Sequence, residues 1–462
     1  MRHVETDYLI IGAGATGMAF ADALLAQSDA HVVLVDRRHR PGGHWLDAYP
    51  FVRLHQPSAY YGVSSRVLGN DRVDRAGPNA GFYERATAAE ICDYFNRVLE
   101  EDLLPSGRFQ FMPMCDYQGS GTDGHQVTSL LTGAQSTVKV RRKLVDATYI
   151  ESSIPSRHVP AYETDDGVRL MPPNALVHLD EPASRITVIG AGKTAMDTCN
   201  WLLDAGVDPG RIRWVRPRDG WFLNRAYMQP LDFVGRYMQL QARWVAGAAE
   251  CDGATDFWRR LEADDIALRI DPKMEPRVFR GATISTLELD ALRSIENVVR
   301  LGRVRRIGRN RISLDEGELA GEPDEVYVDC TAEGLQPRPA RPVYAPDRIT
   351  MQYVTIGIAP WSAATIAAVE AMHADDAHKN ALCPAVVWSG EASDALRLSH
   401  AGIGGLTARS AEPDFAAWDE ACRLNPARGA IDRMDDPQLQ EAFATLGANL
   451  GPALENLERA VA

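Results

Sequence analysis

Gly12, Gly14 and Gly17 fall at the spacing G-x-G-x-x-G within "DYLIIGAGATGMAFADALL". The apolar run before them reads as a strand, and Met18, Ala19, Ala21, Leu24 and Leu25 behind them recur at helical spacing. At such a junction the first glycine permits a tight turn and the second lets backbone approach a pyrophosphate. The third lets helix and strand pack closely. The free N–H groups of the helix start, from Ala15 on, then favour the anion. The next apolar run, "HVVLVD", ends on Asp36, placed to accept hydrogen bonds from ribose hydroxyls. Strand, glycines, helix, strand and acid in that order specify a dinucleotide site.

The pattern returns in "SRITVIGAGKTAMDTCNWLLDAGVDPGRIRWVRPRDGW". Gly190 and Gly192 repeat the first two glycines, Ala195 stands for the third, and Lys193 and Thr194 open the helix. The following strand ends on Arg216 and Arg218 instead of an acid. A carboxylate there would repel a 2′-phosphate, whereas a guanidinium can grip it with a bidentate fork. The second nucleotide is therefore expected to be NADPH; the alternative is that these arginines pair with Asp219 or solvent. Two dinucleotide units in one chain imply FAD exchanging electrons with a nicotinamide.

The elements that must hold these loops follow from the same reading. "KLVDATY" before the second unit and "EVYVDCTAEGL" after it are apolar strands ending in a turn, as where a chain leaves one domain and re-enters it. The expected fold is α/β, with two Rossmann-like dinucleotide-binding domains, the NADPH domain inserted into the FAD domain, and a helical C-terminal extension. The FAD domain is placed at residues 1–178 and 331–462, and the NADPH domain at 179–330 with a helical insertion near 231–268. Trp244, Phe257 and Trp258 in that insertion suit either an apolar lid over substrate or the core of a helical hairpin, and core packing is favoured.

The chain's 462 residues exceed one ordinary core. Its formal charge of −14 argues against a polyanion-binding surface, so nucleic acid is not an expected partner. The first strand begins almost at the start of the sequence and no long apolar run appears, so a cytoplasmic protein without a membrane contact is expected. Seven scattered cysteines form no C-x-x-C pair and no metal-ligand spacing, so they read as reduced, buried thiols, and no metal is expected. An acidic surface suits a monomer or a homodimer.

"PGGHWLDAYPFVRLHQPSAYYGVSS", from Pro41 to Ser65, resembles the glycine-glycine-x-tryptophan segment of the class B flavoprotein monooxygenases, the superfamily of flavin-containing, Baeyer–Villiger and N-hydroxylating monooxygenases. The similarity runs from Asp7 to about Cys383. It implies that this segment wraps the flavin, with Arg37, Gly43, His44, Trp45 and Gln56 at the FAD. Trp45 stands where related disulfide reductases carry a redox cysteine pair. "PRVFRGATISTLELDALRSIENVVRLGRVRRI" is similar to the segment that bears the catalytic basic residue of the Baeyer–Villiger branch, and Arg280 is its candidate here, one residue farther from Ser285 than the family spacing. The aspartate that orients this arginine in that branch is replaced by His55, which suits either a cofactor or substrate contact or a packed histidine. "DRITMQYVTIGIAPWSAATIAAVEA" resembles the closing flavin segment, with Gln352 and Ser362 as contacts. The tryptophan- and histidine-containing fingerprint of the Baeyer–Villiger branch is missing before the second glycines, in "PPNALVHLDEPASRITVIGAG".

The resemblance implies an FAD- and NADPH-dependent monooxygenase. It would insert one oxygen atom of O₂ into a small-molecule substrate, at carbon, nitrogen or sulfur, through a flavin C4a-(hydro)peroxide. The alternatives are a flavoprotein that passes electrons to another acceptor without oxygenation, and a redox-sensing protein that binds both nucleotides without turnover.

Overall fold

The computed structural model describes residues 2–334, 336–355, 357–386 and 388–461. Leu335 and Ile356, inside two of the segments quoted above, lie outside it. Strand β1 (Arg2–Ile11) runs into the first glycine loop and α1 (Ala15–Gln27) leaves it. Strand β2 (Val32–Val35) pairs parallel with β1, from Tyr8 opposite Val32 to Ile11 opposite Val35. Val32 to Val35 are all buried, as expected of a strand covered on both faces. Each such aliphatic side chain contributes roughly 1.5–3 kcal/mol. Helix α2 (Ala88–Arg97) starts at a capping box in which Thr87 and Glu90 each satisfy the other's backbone N–H. It leads to β3 (Phe109–Met112), which extends the sheet beyond β2. The hairpin β4 (Cys115–Gly121) and β5 (Gly124–Ser129) then feeds β6 (Gln135–Asp146) along the other side of β1.

The second unit repeats the plan. It contains β7 (Glu163–Thr164), β8 (Arg169–Met171), the short α3 (Pro173–Leu176), β9 (Ile186–Ile189), α4 (Lys193–Asp204) and β10 (Ile212–Val215). Next come β11 (Gly220–Asn224), α5 (Val234–Glu250), α6 (Ala254–Ala263), β12 (Ala267–Leu268), β13 (Val278–Ile284) and α7 (Thr286–Arg293). It closes with β14 (Val298–Val299), β15 (Val304–Ile307), β16 (Arg311–Leu314), β17 (Gly317–Ala320) and β18 (Val326–Asp329). The main sheet is parallel in the order β14-β10-β9-β18-β8. Strand β7 joins the meander β15-β16-β17, and β11 lies between β12 and β13. Strands β7 and β8 thus enter this unit's sheets ahead of residue 178, where the sequence places the boundary. The reason is that β8 covers the otherwise open outer edge of β18.

The chain returns to the first sheet through β19 (Tyr344–Ala345) and β20 (Arg348–Thr350), with β20 beside β6. Helix α8 (Ala359–Met372) is buried on all sides and packs against α1. The C-terminal part adds α9 (Asp376–Leu382), α10 (Ala395–Ser410), α11 (Pro413–Ala421) and α12 (Pro437–Val461). Helix α5 lies along α12, where Asn456 Nδ2 donates to the carbonyls of Ala248 (3.0 Å) and Cys251 (2.9 Å). Trp244, Phe257 and Trp258 are buried in the core shared with α8 and α10, not arranged as a lid. Among the described residues, no helix is long and apolar enough to cross a membrane.

Candidate active site

The first glycine loop is held from two sides. Asp36 accepts from Ala13 N (2.6 Å) and Arg38 N (2.7 Å), so its carboxylate first braces the loop, while its remaining lone pairs stay available to a ribose. Gly42 N donates to Ala13 O at 2.9 Å, and a Cβ on Gly43, whose φ is +57°, would lie 2.8 Å from Gly14 Cα. The glycine pair therefore closes over the fingerprint so tightly that only glycine fits. Helix α1 begins at Gly14 without a side-chain cap, which leaves its first N–H groups for an anion. Arg37 points elsewhere, to Asp116 on β4 at 3.5 Å.

At the second loop Gly190 has φ +142°, and a Cβ on it would stand 2.5 Å from Cys330 O. Gly192 faces open space, and α4 also starts uncapped. Lys193 pairs with Asp197 one turn on, and Tyr49 donates to the same carboxylate at 2.8 Å, which ties the first unit to α4. The two arginines part company. Arg218 lines a cavity of about 670 Å³ and meets Glu391 at 3.3 Å. Arg216 is buried, lies 4.7 Å over the Trp214 ring and pairs with Asp219 at 3.1 Å. Its Nε and Nη1 are without a hydrogen-bond partner among the described residues. Arg303, which the sequence reading missed, also lines the cavity.

That cavity runs from the second glycine loop to the glycine-glycine-x-tryptophan segment. Its wall takes His44, Trp45, His55, Gln56, Gly190, Gly192, Lys193, Thr194, Arg218 and Arg280 of the residues expected from sequence. Gly12, Gly14, Ala15, Gly17, Asp36, Arg37, Gly43, Arg216, Gln352 and Ser362 are not in that wall. The Gln352 amide is committed to the backbone of Arg341, donating to its carbonyl at 2.9 Å. Ser362 Oγ shapes the turn before α8 by accepting from Val354 N (3.3 Å) and Thr355 N (3.2 Å). Trp45 Nε1 donates to Tyr61 OH at 2.7 Å.

Arg280 reaches the wall through a local irregularity. Strand β13 pairs parallel with β11, but the register breaks between Trp221 and Leu223, and Gly281 takes φ +67° in the extra length of β13. Such a bulge re-aims a side chain. The Arg280 Nε is buried without a partner among the described residues, and Nη2 lies 3.7 Å from Glu333.

His55 is fixed through its main chain. Its carbonyl accepts from Thr283 Oγ1 (2.6 Å) and Arg225 Nε (3.1 Å). Arg225 is fully buried and pairs with Glu288 at 2.6 Å, while Arg85 pairs with the same carboxylate at 3.1 Å. Burial alone would raise the Glu288 carboxyl, but Arg225, Lys193 and Arg85 overcome it and bring its pKa to about 2. Burial, followed by the positive charge of Lys193, Arg225 and Arg85, holds the His55 imidazole well below its ordinary pKa. His44 opens onto the cavity yet is surrounded by protein, and burial with nearby Arg38 takes it down to about 4. Both rings are neutral at pH 7.

A histidine depressed in this way stays neutral when folded but takes up a proton when unfolded. Its contribution is therefore present above the unfolded pKa of about 6.5 and is lost as pH falls below it. His55→Gln is expected to flatten the fall in thermal midpoint between pH 7 and pH 5, with a single histidine accounting for at most about 1.4 kcal/mol per pH unit. Parallel melts of wild type and variant across that range check this, and identical slopes would exclude it.

Residues 10–64 match the family model described as an NAD(P)-binding Rossmann-like domain. The uncharacterized protein Rv2000 of Mycobacterium tuberculosis is 44% identical over 425 residues, covering 92% of this chain and 78% of that relative. The Mycobacterium bovis protein Mb2023 matches with the same figures. The chain belongs to the family of these mycobacterial proteins. Among solved structures, the NADP⁺-bound cyclohexanone monooxygenase from Rhodococcus sp. Phi1 aligns with a TM-score of 0.51 at 15% identity, over 80% of this chain and 83% of that one. An ε-caprolactone-bound cyclohexanone monooxygenase gives 0.53 at 15% identity, over 96% and 98%. The likeness is one of fold, that of the class B flavoprotein monooxygenases with two dinucleotide-binding domains.

The residues present fit two dinucleotides. Both helix N-termini are uncapped, Gly192 leaves room for close approach, and Gly43 packs on Gly14 with no space for a Cβ. The network of Thr283, Arg225, Glu288 and Arg85 behind His55 was not readable from sequence, because its members lie on separate elements and share no motif.

Proposed function

We propose that this protein is an FAD- and NADPH-dependent monooxygenase acting on a small apolar substrate. The observation that carries the reading is the single cavity joining the second glycine loop to His44 and Trp45, with His55 and Arg280 in its wall. FAD, reduced by NADPH, would supply the electrons that split O₂ into one oxygen atom for the substrate and one for water.

The chain's own residues do the rest. The N-termini of α1 and α4 hold the two pyrophosphates, and Asp36 accepts from a ribose. Trp45, Tyr49, Tyr61, Trp221, Tyr353 and Trp388 give the cavity an aromatic lining that excludes water. Inside it, charged groups act at low dielectric, where they are worth more than in solution. Arg280 donates hydrogen bonds to negative charge developing on oxygen. The neutral His55 imidazole can take a proton at one ring nitrogen and give one from the other. Arg225 and Thr283 keep it in place.

Anaerobic reduction of the flavin-loaded protein by NADPH, followed by mixing with ¹⁸O₂ and candidate ketones, amines or sulfides, tests the reading. One labelled oxygen atom per NADPH consumed supports it. Full reoxidation with hydrogen peroxide as the sole product across the set, at every NADP⁺ level, would favour electron transfer without oxygenation.

Arg218 is the side chain that best suits the 2′-phosphate, with Arg303 beside the same cavity and Arg216 held behind by Asp219. Arg218→Ala should raise the KM for NADPH about 10- to 100-fold, the range for one charged hydrogen-bonding partner, and leave the KM for NADH nearly unchanged. Equal effects on both nucleotides would remove this assignment.

A further inference from the structure

Away from the cavity, three helix ends bring together His373, His378 and Glu412, whose potential ligand atoms all lie within 4.8 Å of one another. His373 follows α8, His378 is in α9, and Glu412 precedes α11. We propose that these residues form a zinc site that braces the far end of α8.

The geometry is close to what the metal requires. In a tetrahedral site with bonds of about 2.0–2.2 Å, neighbouring ligand atoms sit about 3.4 Å apart. His378 Nε2 and Glu412 Oε1 are separated by 3.4 Å. The rings of His373 and His378 cross at 73° with centroids 4.8 Å apart, so side-chain rotation can turn a nitrogen of each toward a common centre. Glu412 occupies the N-cap position of α11 yet makes no capping hydrogen bond, and its carboxylate is turned to His378 instead. His378 N donates to Asp375 Oδ2 at 2.8 Å, which fixes the backbone of one ligand. Lys379, next in sequence, turns inward to Glu370 at 2.6 Å. The carbonyl end of α8 favours a cation and the starts of α9 and α11 oppose it, so the three side chains themselves must supply the binding.

Two imidazoles and one carboxylate are the donor set of three-ligand zinc sites and leave the fourth position to solvent. Helix α8 starts at Ala359 and Pro360 in the cavity wall and ends at this cluster. Zinc would tie its last turn to α9 and α11 without entering the cavity. The sequence reading found no metal because it looked for cysteine spacing, and Glu412 stands far along the chain from the two histidines.

The test is calorimetric titration of the tag-free, flavin-loaded full chain with ZnCl₂ after chelator treatment and dialysis, with Co²⁺ absorption as a report on coordination. The expected result is one Zn²⁺ per chain at micromolar Kd or tighter, a four-coordinate Co²⁺ spectrum, and a thermal midpoint raised by about 3 °C at saturation. His378→Ala and Glu412→Gln should each weaken binding about 100-fold, while His39→Ala, an exposed histidine elsewhere, should leave it unchanged. A Kd weaker than about 1 mM, or equal binding by all the variants, would overturn the proposal. Neither outcome depends on catalysis.

Discussion

Gly17→Ala yields a protein with little bound flavin and a lowered thermal midpoint. A Cβ on Gly17 would overlap the carbonyl oxygen of Gly12 and stand 3.4 Å from Ala147 Cβ. The oxygen belongs to backbone at the end of β1 and has no rotamer with which to move aside, so α1 must lift off the sheet. Overpacking a rigid site in this way costs about 3 kcal/mol or more, equivalent to a drop of about 3 °C or more in a chain of this length. The same displacement moves the uncapped N-terminus of α1, the proposed pyrophosphate site, away from Gly43. Gly192→Ala is the matched control, because no described residue lies within 4 Å of its Cβ and its φ of −93° suits any residue. That variant should keep its flavin and its midpoint while the KM for NADPH rises. Flavin content from the absorbance ratio and melting curves of both proteins decide the matter. A yellow, stable Gly17→Ala would mean that α1 is not held where the structure places it.

The contrast between these two glycines explains what was legible in the sequence. Gly12, Gly17 and Gly190 are demanded by contacts among neighbouring elements, between a helix start and the strands around it, so a fixed spacing records them. The apolar strands, buried on both faces, are equally local signals. Strand β8 was not legible, because its three residues carry no period and exist only to cover the edge of β18. The separation of Arg216 from Arg218 was hidden for a similar reason. The chain leaves β10 at Val215 and bends at Pro217, so one guanidinium turns in to Asp219 and the other out to the cavity.

The candidate site was legible where backbone makes it and obscure where side chains from distant elements converge. His55 was visible as a departure from a family pattern, but what holds its imidazole below the ordinary pKa is burial first and then the charges of Lys193, Arg225 and Arg85, which come from three other segments. Gln352 and Ser362 carry the reverse lesson. The sequence reading gives them as flavin contacts, yet both side chains are spent on shaping their own segment, through Arg341 in one case and through Val354 and Thr355 in the other.

Arg280→Met should separate nucleotide oxidation from oxygenation. The guanidinium stands at a bulge where Gly281 has φ +67° and packs so close to the Trp388 ring that a Cβ would stand 2.6 Å from it, and the bulge brings Arg280 into the cavity wall. A buried Nε without a partner among the described residues and a loose 3.7 Å pair with Glu333 leave its donors free for a ligand. An unpaired donor in such a place costs about 1–3 kcal/mol of stability, so removing it should not unfold the protein and could raise its midpoint slightly. Catalysis would respond in the opposite sense. Loss of one preorganised donor to a developing oxyanion lowers the rate about 10²- to 10³-fold. Reduction by NADPH, which under the proposed assignment uses the glycine loops and Arg218 but no oxyanion donor, should change less than about threefold. The variant would then oxidise NADPH and release the equivalent hydrogen peroxide, with oxygenated product nearly absent. Product formation at the wild-type rate would remove Arg280 from the chemistry. Equal loss of reduction and product would assign it to holding the nicotinamide instead.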